Sequence, residues 1–287
     1  MKGSFLKTSF NAVGAAILAA CAPVNLLNSI TPSESFSKTK DIPYGDLDRQ
    51  KLDIYKAKTR KTNAPIIVFV HGGGWDSGSK DTYKFLAEAF TSRGYDIAVP
   101  NYRLYPEARY PDMIVDTAKA IAYISRQYED RSIVVMGHSA GGYNALMAVL
   151  NTSYLAQQGV SVCDRISGLI SLAGPTGGYA LTNELYITIF PDRFLGTDAP
   201  LAHISSPSPP LLMINGADDT TVGPKNASRL VEAVKARGGQ ATLKIYEDYG
   251  HITPIKNFSK HFDKSNAYKD DVFAFIEALP VQGNFCS

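Results

Sequence analysis

The residues from Gly137 to Gly142, GHSAGG, place a serine between glycines where one apolar run ends and another begins. A Gly-x-Ser-x-Gly turn between a strand and a helix strains the serine backbone and exposes its hydroxyl above a sheet. That hydroxyl is a poor nucleophile unless a base takes its proton and an acid orients the base. The motif therefore predicts Ser139 as a nucleophile, provided that a histidine and a carboxylate accompany it.

The chain has five histidines, and His251 has the position expected of the base. It follows a predicted strand at 241–247 and lies in a loop at the edge of the sheet where the serine hydroxyl would be. The acid is expected in NGADDTTVG, residues 215–223, where the residues leave both Asp218 and Asp219 open. The chain order serine, aspartate, histidine is that of α/β-hydrolases.

A run of three glycines in VHGGGW, residues 70–75, directly follows an apolar, β-branched run. Consecutive glycines cost backbone entropy, so an ordinary loop rarely uses them. Their benefit is a set of unobstructed N–H groups that point at a developing oxyanion. Together with the N–H of Ala140, the residue after the nucleophile, they predict an oxyanion hole.

The remaining pattern is an alternation of strands and helices. Continuous apolar strands separated by amphipathic helices indicate a mostly parallel central sheet with helices on both faces, an α/β fold. Strands are predicted at 52–55, 65–70, 96–102, 132–138, 166–174, 210–216 and 241–247, and helices at 83–94, 113–128, 141–150, 224–237 and 268–279. The segment 175–205 has no clean period and is predicted as an insertion over the active site.

These motifs together resemble the esterase and lipase branch of the α/β-hydrolase superfamily that carries HGGG, the hormone-sensitive-lipase-like group and its small bacterial relatives. The matching stretches are LDIY, VHGGGWDSGS, NYRLYPE, GHSAGG, PPLLMINGADDTTV and YGH, in order between residues 41 and 279. The resemblance implies that Asp219 is the acid and that Gly73 and Gly74 donate to the oxyanion. It also implies a mechanism that needs no metal and no organic cofactor.

The expected activity is hydrolysis of small ester substrates through an acyl-enzyme. Many relatives carry an N-terminal helical cap, whereas residues 22–40 are polar and interrupted by proline. An open pocket is therefore expected, roofed by Trp75 and 175–205 and suited to short-chain or aryl esters. Candidates for the pocket wall, with ordinary core packing as the alternative for each, are Tyr179, Leu181, Tyr186, Ile189 and Phe190. The alternatives are an amide, formamide or glycan-ester substrate and, in another class, a non-catalytic envelope lipoprotein.

The N-terminus carries an export pattern. Lys2 and Lys7 precede the apolar FNAVGAAILAA, which ends at Cys21 and resembles a bacterial lipobox. The prediction is a lipoprotein signal at 1–20, a tether at 21–40, a catalytic domain at 41–287 and a lipid anchor on Cys21. A plain secretory signal and an uncleaved anchor are the alternatives.

The predicted location is the bacterial cell envelope, with the outer membrane favoured over the inner one because Ala22, not aspartate, follows Cys21. A formal net charge of +2 without long basic runs argues against a nucleic-acid partner. The three cysteines have no metal-ligand spacing. Export would permit a disulfide between Cys163 and Cys286, which the sequence leaves open.

Overall fold

The computed structural model describes residues 27–177, 181–191, 199–204, 208–262, 267–280 and 284–286. Eight strands form one sheet in the order β1-β2-β4-β3-β5-β6-β7-β8. Their bounds are β1 Phe36–Pro43, β2 Lys51–Ala57, β3 Ile66–Val70, β4 Ile97–Pro100, β5 Ile133–His138, β6 Ile166–Leu172, β7 Leu211–Gly216 and β8 Ala241–Tyr246. The strands from β3 to β8 are parallel, and β1 and β2 are antiparallel additions at one edge. The predicted α/β class is confirmed.

Nine α-helices within the described ranges carry labels here: α1 Lys84–Thr91, α2 Asp112–Gln127, α3 Ala140–Leu150, α4 Ser153–Ala156, α5 Val162–Arg165, α6 Glu184–Ile189, α7 Lys225–Ala236, α8 Thr253–Lys256 and α9 Ala267–Glu277. The longer helices cover both faces of the sheet. Every residue of β3 is buried, and its side chains alternate between two apolar clusters: Val68 joins the cluster that contains α2, α3 and α7, whereas Phe69 joins the cluster that contains α1 and α9. This two-sided burial explains why the strand is continuously apolar.

The tether prediction is wrong for residues 27–40, and the folded domain includes them instead of starting at residue 41. A helical turn at 27–30 buries Leu27, and β1 pairs along β2 with the ring of Phe36 packed edge-on against Tyr55 at 5.1 Å between centroids. Only one residue of β1 is buried, because it is an edge strand with a largely solvated face. Such a strand has little apolar pattern to reveal it.

The predicted signal peptide at 1–20, Cys21 and the start of the predicted tether lie outside the described residues. Among the helices that are described, none is both long enough and apolar enough to cross a bilayer.

A disulfide joins Cys163 in α5 to Cys286, with 5.6 Å between their Cα atoms. It connects the start of β6 to the C-terminal turn at 284–286 across 123 residues of sequence. The bond lies beside the amino end of β6, at the sheet edge opposite to the ends of β5 and β7 that carry Gly137 and Gly216.

Candidate active site

Ser139 is the single residue between β5 and α3, and its backbone has a conformation that residues other than glycine rarely adopt. Its φ is 53° and its ψ is −124°, and its N–H donates to the carbonyl of Leu172 over 2.9 Å. Strain of this kind persists only where the surroundings enforce it. They do so here because a Cβ on Gly137 would overlap the carbonyl of Gly141 across the turn. The glycines in the motif are therefore required by the turn itself.

A line of two hydrogen bonds connects Ser139, His251 and Asp219. The Nε2 of His251 lies 2.8 Å from the Oγ of Ser139, and its Nδ1 lies 2.8 Å from the Oδ2 of Asp219. A carboxylate only accepts, so Nδ1 carries the proton and Nε2 is free to accept from the serine hydroxyl. The Asp219 side chain is fully buried, whereas 14% of the His251 side chain is exposed. The imidazole thus has the orientation of a base poised over a nucleophile.

Asp219 is held as an anion. Burial by itself would raise the pKa of this carboxyl, but the hydrogen bond and charge of His251 and the N–H groups of Val222 and Thr221 together lower it below its ordinary value. Those two N–H groups donate to Oδ1 over 2.8 and 2.9 Å. Asp218, the alternative left open by the residues, is exposed, so the structure places Asp219 rather than Asp218 against the imidazole.

The glycine run after β3 lies directly beside the nucleophile. A Cβ on Gly72 would stand 3.2 Å from the Cβ of Ser139. Gly73, Gly74 and Trp75 then have φ values of 127°, 61° and 64°, a succession that turns the backbone sharply. In the part of the chain that the structure describes, the N–H groups of Gly73 and Gly74 donate to no carbonyl. Ala140, which follows the nucleophile, begins α3 and so has an N–H group in the first turn of that helix.

An aromatic cluster surrounds Trp75. Its ring meets Tyr143, Tyr186 and Phe190 edge-on at 5.5, 5.5 and 4.9 Å, and its Nε1–H donates to the Oδ1 of Asn144 over 2.9 Å. The indole is 4% exposed, so Trp75 supports the site from within and is not the roof that the sequence predicted.

The wall candidates divide into two kinds. Ile189 and Phe190 are fully buried core residues, whereas Leu181 and Tyr186 keep partial exposure. Tyr179 falls outside the described residues.

Sequence reasoning gave no role to His138, the residue before the nucleophile. Its buried Nε2 lies 3.0 Å from the backbone oxygen of His251, and the two rings are 5.2 Å apart. The signal that could have found it is its position at the end of the predicted apolar strand 132–138, because a polar ring in a buried strand needs a hydrogen-bond partner. Over the described ranges, no group of three or more His, Cys, Asp and Glu side chains is arranged to hold a metal ion.

The sheet, its flanking helices and the serine turn between β5 and α3 define an α/β-hydrolase fold. Comparison with known proteins agrees with this class. A family model named BD-FAE matches residues 52–178, and a second, the prolyl oligopeptidase family, matches residues 186–278. The first match contains the glycine run and the serine turn, and the second contains the aspartate and the histidine.

Esterases recur among the similar proteins. The chain is 27% identical over 276 residues to isoprenylcysteine alpha-carbonyl methylesterase ICME of Arabidopsis thaliana, a match that covers 86% of this chain and 64% of that protein. It is 24% identical to kynurenine formamidase of Danio rerio, with 75% of each chain covered. A solved structure of esterase B from Lactobacillus Rhamnosis superposes with a TM-score of 0.75 at 17% identity and covers 93% of both chains. Since the match covers 64% of the methylesterase, this chain spans less than two thirds of the length of that relative.

Proposed function

We propose that the chain is a serine hydrolase that cleaves carboxylic esters through an acyl-enzyme. The observation that carries this proposal is the unbroken hydrogen-bonded line from Ser139 through His251 to Asp219, set on a strained turn at the carboxyl edge of the sheet. The presence of named esterases among the relatives supports the same reaction.

In the proposed first half-reaction, the Oγ of Ser139 attacks the ester carbonyl while Nε2 of His251 accepts its proton. The imidazolium then gives that proton to the leaving alcohol, and an acyl group stays on the serine. Asp219 keeps the imidazole in the required tautomer and stabilises its positive charge. In the second half-reaction, water loses a proton to His251 and its oxygen bonds to the acyl carbon. The bond between that carbon and the Oγ of Ser139 then breaks, Oγ takes the proton from His251, and the carboxylic acid leaves.

The tetrahedral intermediate carries a negative charge on the former carbonyl oxygen. The N–H groups of Gly73, Gly74 and Ala140 are proposed as hydrogen-bond donors to this oxygen. The glycine run lies beside Ser139, and the N–H groups of Gly73 and Gly74 donate to no backbone carbonyl of the described chain. One donor of this kind typically contributes a factor of about 10²–10³ to kcat. Backbone donors need no reorganisation when the charge develops, since the turn already fixes them.

Short-chain or aryl esters are the proposed substrate class. The described residues before β2 are a helical turn and an edge strand, not a helical cap over the carboxyl edge of the sheet. The partly exposed Tyr186, packed on Trp75 at the end of the glycine run, offers an aromatic surface to a substrate. A formamide or other amide is the second candidate, which the similarity to a kynurenine formamidase favours. Esters on glycans are a third possibility of the same chemistry.

We further propose that the protein is exported and anchored to the bacterial cell envelope through a lipid on Cys21, with the outer membrane as its location. The support is the sequence alone: two lysines, an apolar stretch and small residues before the cysteine. Metabolic labelling with a fatty-acid probe tests this step. Acylation that disappears in Cys21→Ser supports the anchor, and an unlabelled, soluble mature protein contradicts it.

The test of the activity is hydrolysis of a p-nitrophenyl ester series from acetyl to palmitoyl by the purified chain. Rates should peak at the short chains and fall by about 10⁶ in Ser139→Ala, the usual cost of a lost nucleophile. A fluorophosphonate probe separates the remaining cases. Labelling of Ser139 without hydrolysis of the p-nitrophenyl esters would favour amides or glycan esters as the substrates. No labelling would indicate a non-catalytic envelope protein.

A further inference from the structure

His138 occupies the variable position of the Gly-x-Ser-x-Gly turn, and the mechanism above gives it no part. It is the last residue of β5 and is only 4% exposed. Its Nε2 lies 3.0 Å from the backbone oxygen of His251, and the two ring planes meet at 40°. The residue next to the nucleophile is thus bonded to the main chain of the residue expected to act as the base.

The protonation state of His138 follows from these contacts. A carbonyl oxygen only accepts, so Nε2 must carry the hydrogen. Burial first, and then the charge of His251, lower the pKa of His138 to about 3, although its bond to the His251 backbone and the charge of Asp219 act in the opposite direction. Those two residues are the titratable groups that face it. The ring is therefore neutral at any pH near 7 and has one tautomer.

The backbone that His138 contacts has little regular structure of its own. His251 lies in a turn between the end of β8 and the short helix α8, outside any strand or helix. The base would depend on this turn for its position, because its ring must meet Ser139 and Asp219 at the same time. A hydrogen bond to the His251 carbonyl fixes the turn at the residue where precision matters most.

The other edge of the His138 ring lies against the glycine run. A Cβ on Gly72 would stand only 3.0 Å from its Nδ1. One rigid, neutral ring therefore lies between the turn that carries the proposed oxyanion donors and the turn that carries the proposed base. An aliphatic side chain could fill this space but could not donate to the carbonyl.

We propose that His138 is a positioning residue that holds the His251 turn in register with Ser139 through the Nε2–H bond to the His251 carbonyl. The inference rests on the proposed function, since it assigns to His138 the alignment of that triad. It predicts that the donor, and not the ring, is what activity requires.

Two substitutions separate the donor from the ring. His138→Gln keeps an N–H group near the position of Nε2 and loses the ring, whereas His138→Phe keeps the ring and loses the donor. Tyr44→Phe is the matched control, because it also removes a buried side-chain donor to a backbone carbonyl, that of Asn101, in a region beside Arg103 and Asp116. Melting temperatures of all variants report folding, and Ser139→Ala gives the background rate.

His138→Phe should lower kcat by about 10–100-fold at nearly unchanged KM, because a base displaced by up to about 1 Å has that order of cost. The kcat of His138→Gln and of Tyr44→Phe should stay within a few-fold of the parent. The far-downfield proton resonance of an imidazole Nδ1–H bonded to a carboxylate, here His251 to Asp219, should broaden in the Phe variant and persist in the Gln variant. This signature separates misalignment from a general loss of stability.

Equal activity of the folded His138→Phe and His138→Gln variants would overturn the proposal, whether both keep or both lose the parent rate. A loss in His138→Gln alone would also overturn it, because it would mean that the ring only fills space. If the Phe variant does not fold, His138→Asn replaces it, since its shorter amide does not reach the carbonyl. Activity that persists in Ser139→Ala would instead refute the proposed function, so the two failures are distinguishable.

Discussion

Gly216 lies so close to Tyr249 that any side chain at position 216 would overlap the carbonyl oxygen of Tyr249. The N–H of Asp218 donates to that same oxygen over 3.1 Å. The turn that carries the acid is thereby locked against the turn that carries the histidine. This contact explains why the strand β7 ends in a glycine three residues before Asp219.

Gly216→Ala should separate the two turns and lower kcat by about 100-fold, because displacement of a catalytic group by about 1 Å has that order of cost. Gly250→Ala is the control: a Cβ there meets no atom within 4 Å and its φ is not in the left-handed region. The measurement is kcat and KM for a short-chain ester in both variants. A Gly216 variant that equals the Gly250 variant would show that the contact is dispensable.

Two buried histidines should make the protein less stable as the pH falls. Burial lowers the pKa of His71 to about 4, and burial together with His251 lowers that of His138 to about 3. An unfolded histidine titrates near about 6.5, so below that pH the unfolded chain binds more protons than the folded one. The free energy of unfolding should then decrease by up to about 1.4 kcal/mol per pH unit for each histidine.

Urea unfolding at several pH values between about 7 and about 5 measures this slope. The lowered pKa of Asp219 acts in a lower window, since a carboxylate of this kind loses its stabilising charge only below about pH 4. His138→Gln removes one of the two titrating groups and should reduce the slope. If the unfolding free energy of that variant changed with pH as steeply as that of the parent, the effect of burial on the pKa of His138 would be contradicted.

The disulfide should stabilise the fold without affecting catalysis. The bond between Cys163 and Cys286 closes a loop of 123 residues, for which restriction of the unfolded chain contributes up to about 5 kcal/mol. Because it lies at the amino end of β6, far along the sheet from Ser139, Cys286→Ser should lower the melting temperature and leave kcat near that of the parent. A melting temperature that does not respond to either the substitution or reductant would argue that the bond does not form in solution.

The segment once expected to be a tether should contribute to stability. Phe36→Ala removes a buried ring from its contact with Tyr55 and should cost about 3 kcal/mol, the lower end for a buried aromatic residue. Ser37→Ala, at the exposed neighbouring position of β1, is the control and should change the unfolding free energy little. Similar midpoints for the two variants in denaturant titrations would restore the tether interpretation.

The sequence predicted the parts of the molecule whose signals are local. Gly137 and Gly141 indicate the strained turn, because any Cβ at either position would overlap neighbouring backbone. The apolar run in β3 predicts a strand buried on two faces. Ser139 and His251 were identified because their turns follow recognisable strands, whereas the family resemblance implied Asp219. The structure brings the three together.

Other features depend on contacts that no local pattern encodes. The bond from His138 to His251 spans 113 residues, and the burial of Trp75 depends on Phe190 and Tyr143 from two other segments. The strand β1 exposes most of its side chains, so its membership of the sheet follows from pairing with β2 and not from periodicity. The residues alone left Asp218 and Asp219 open as well, and the family resemblance, not the local pattern, favoured the aspartate whose side chain the turn points inward.

The distribution of the three site residues along the chain has a consequence for biosynthesis. Ser139 and His251 are separated by 112 residues, and β8, which precedes the histidine, is the last of the described strands along the chain. A nascent chain that has folded only its first strands holds a nucleophile without a base. The proposed hydrolytic activity should therefore arise only after β8 and the turn with His251 have been synthesised and have docked on the sheet.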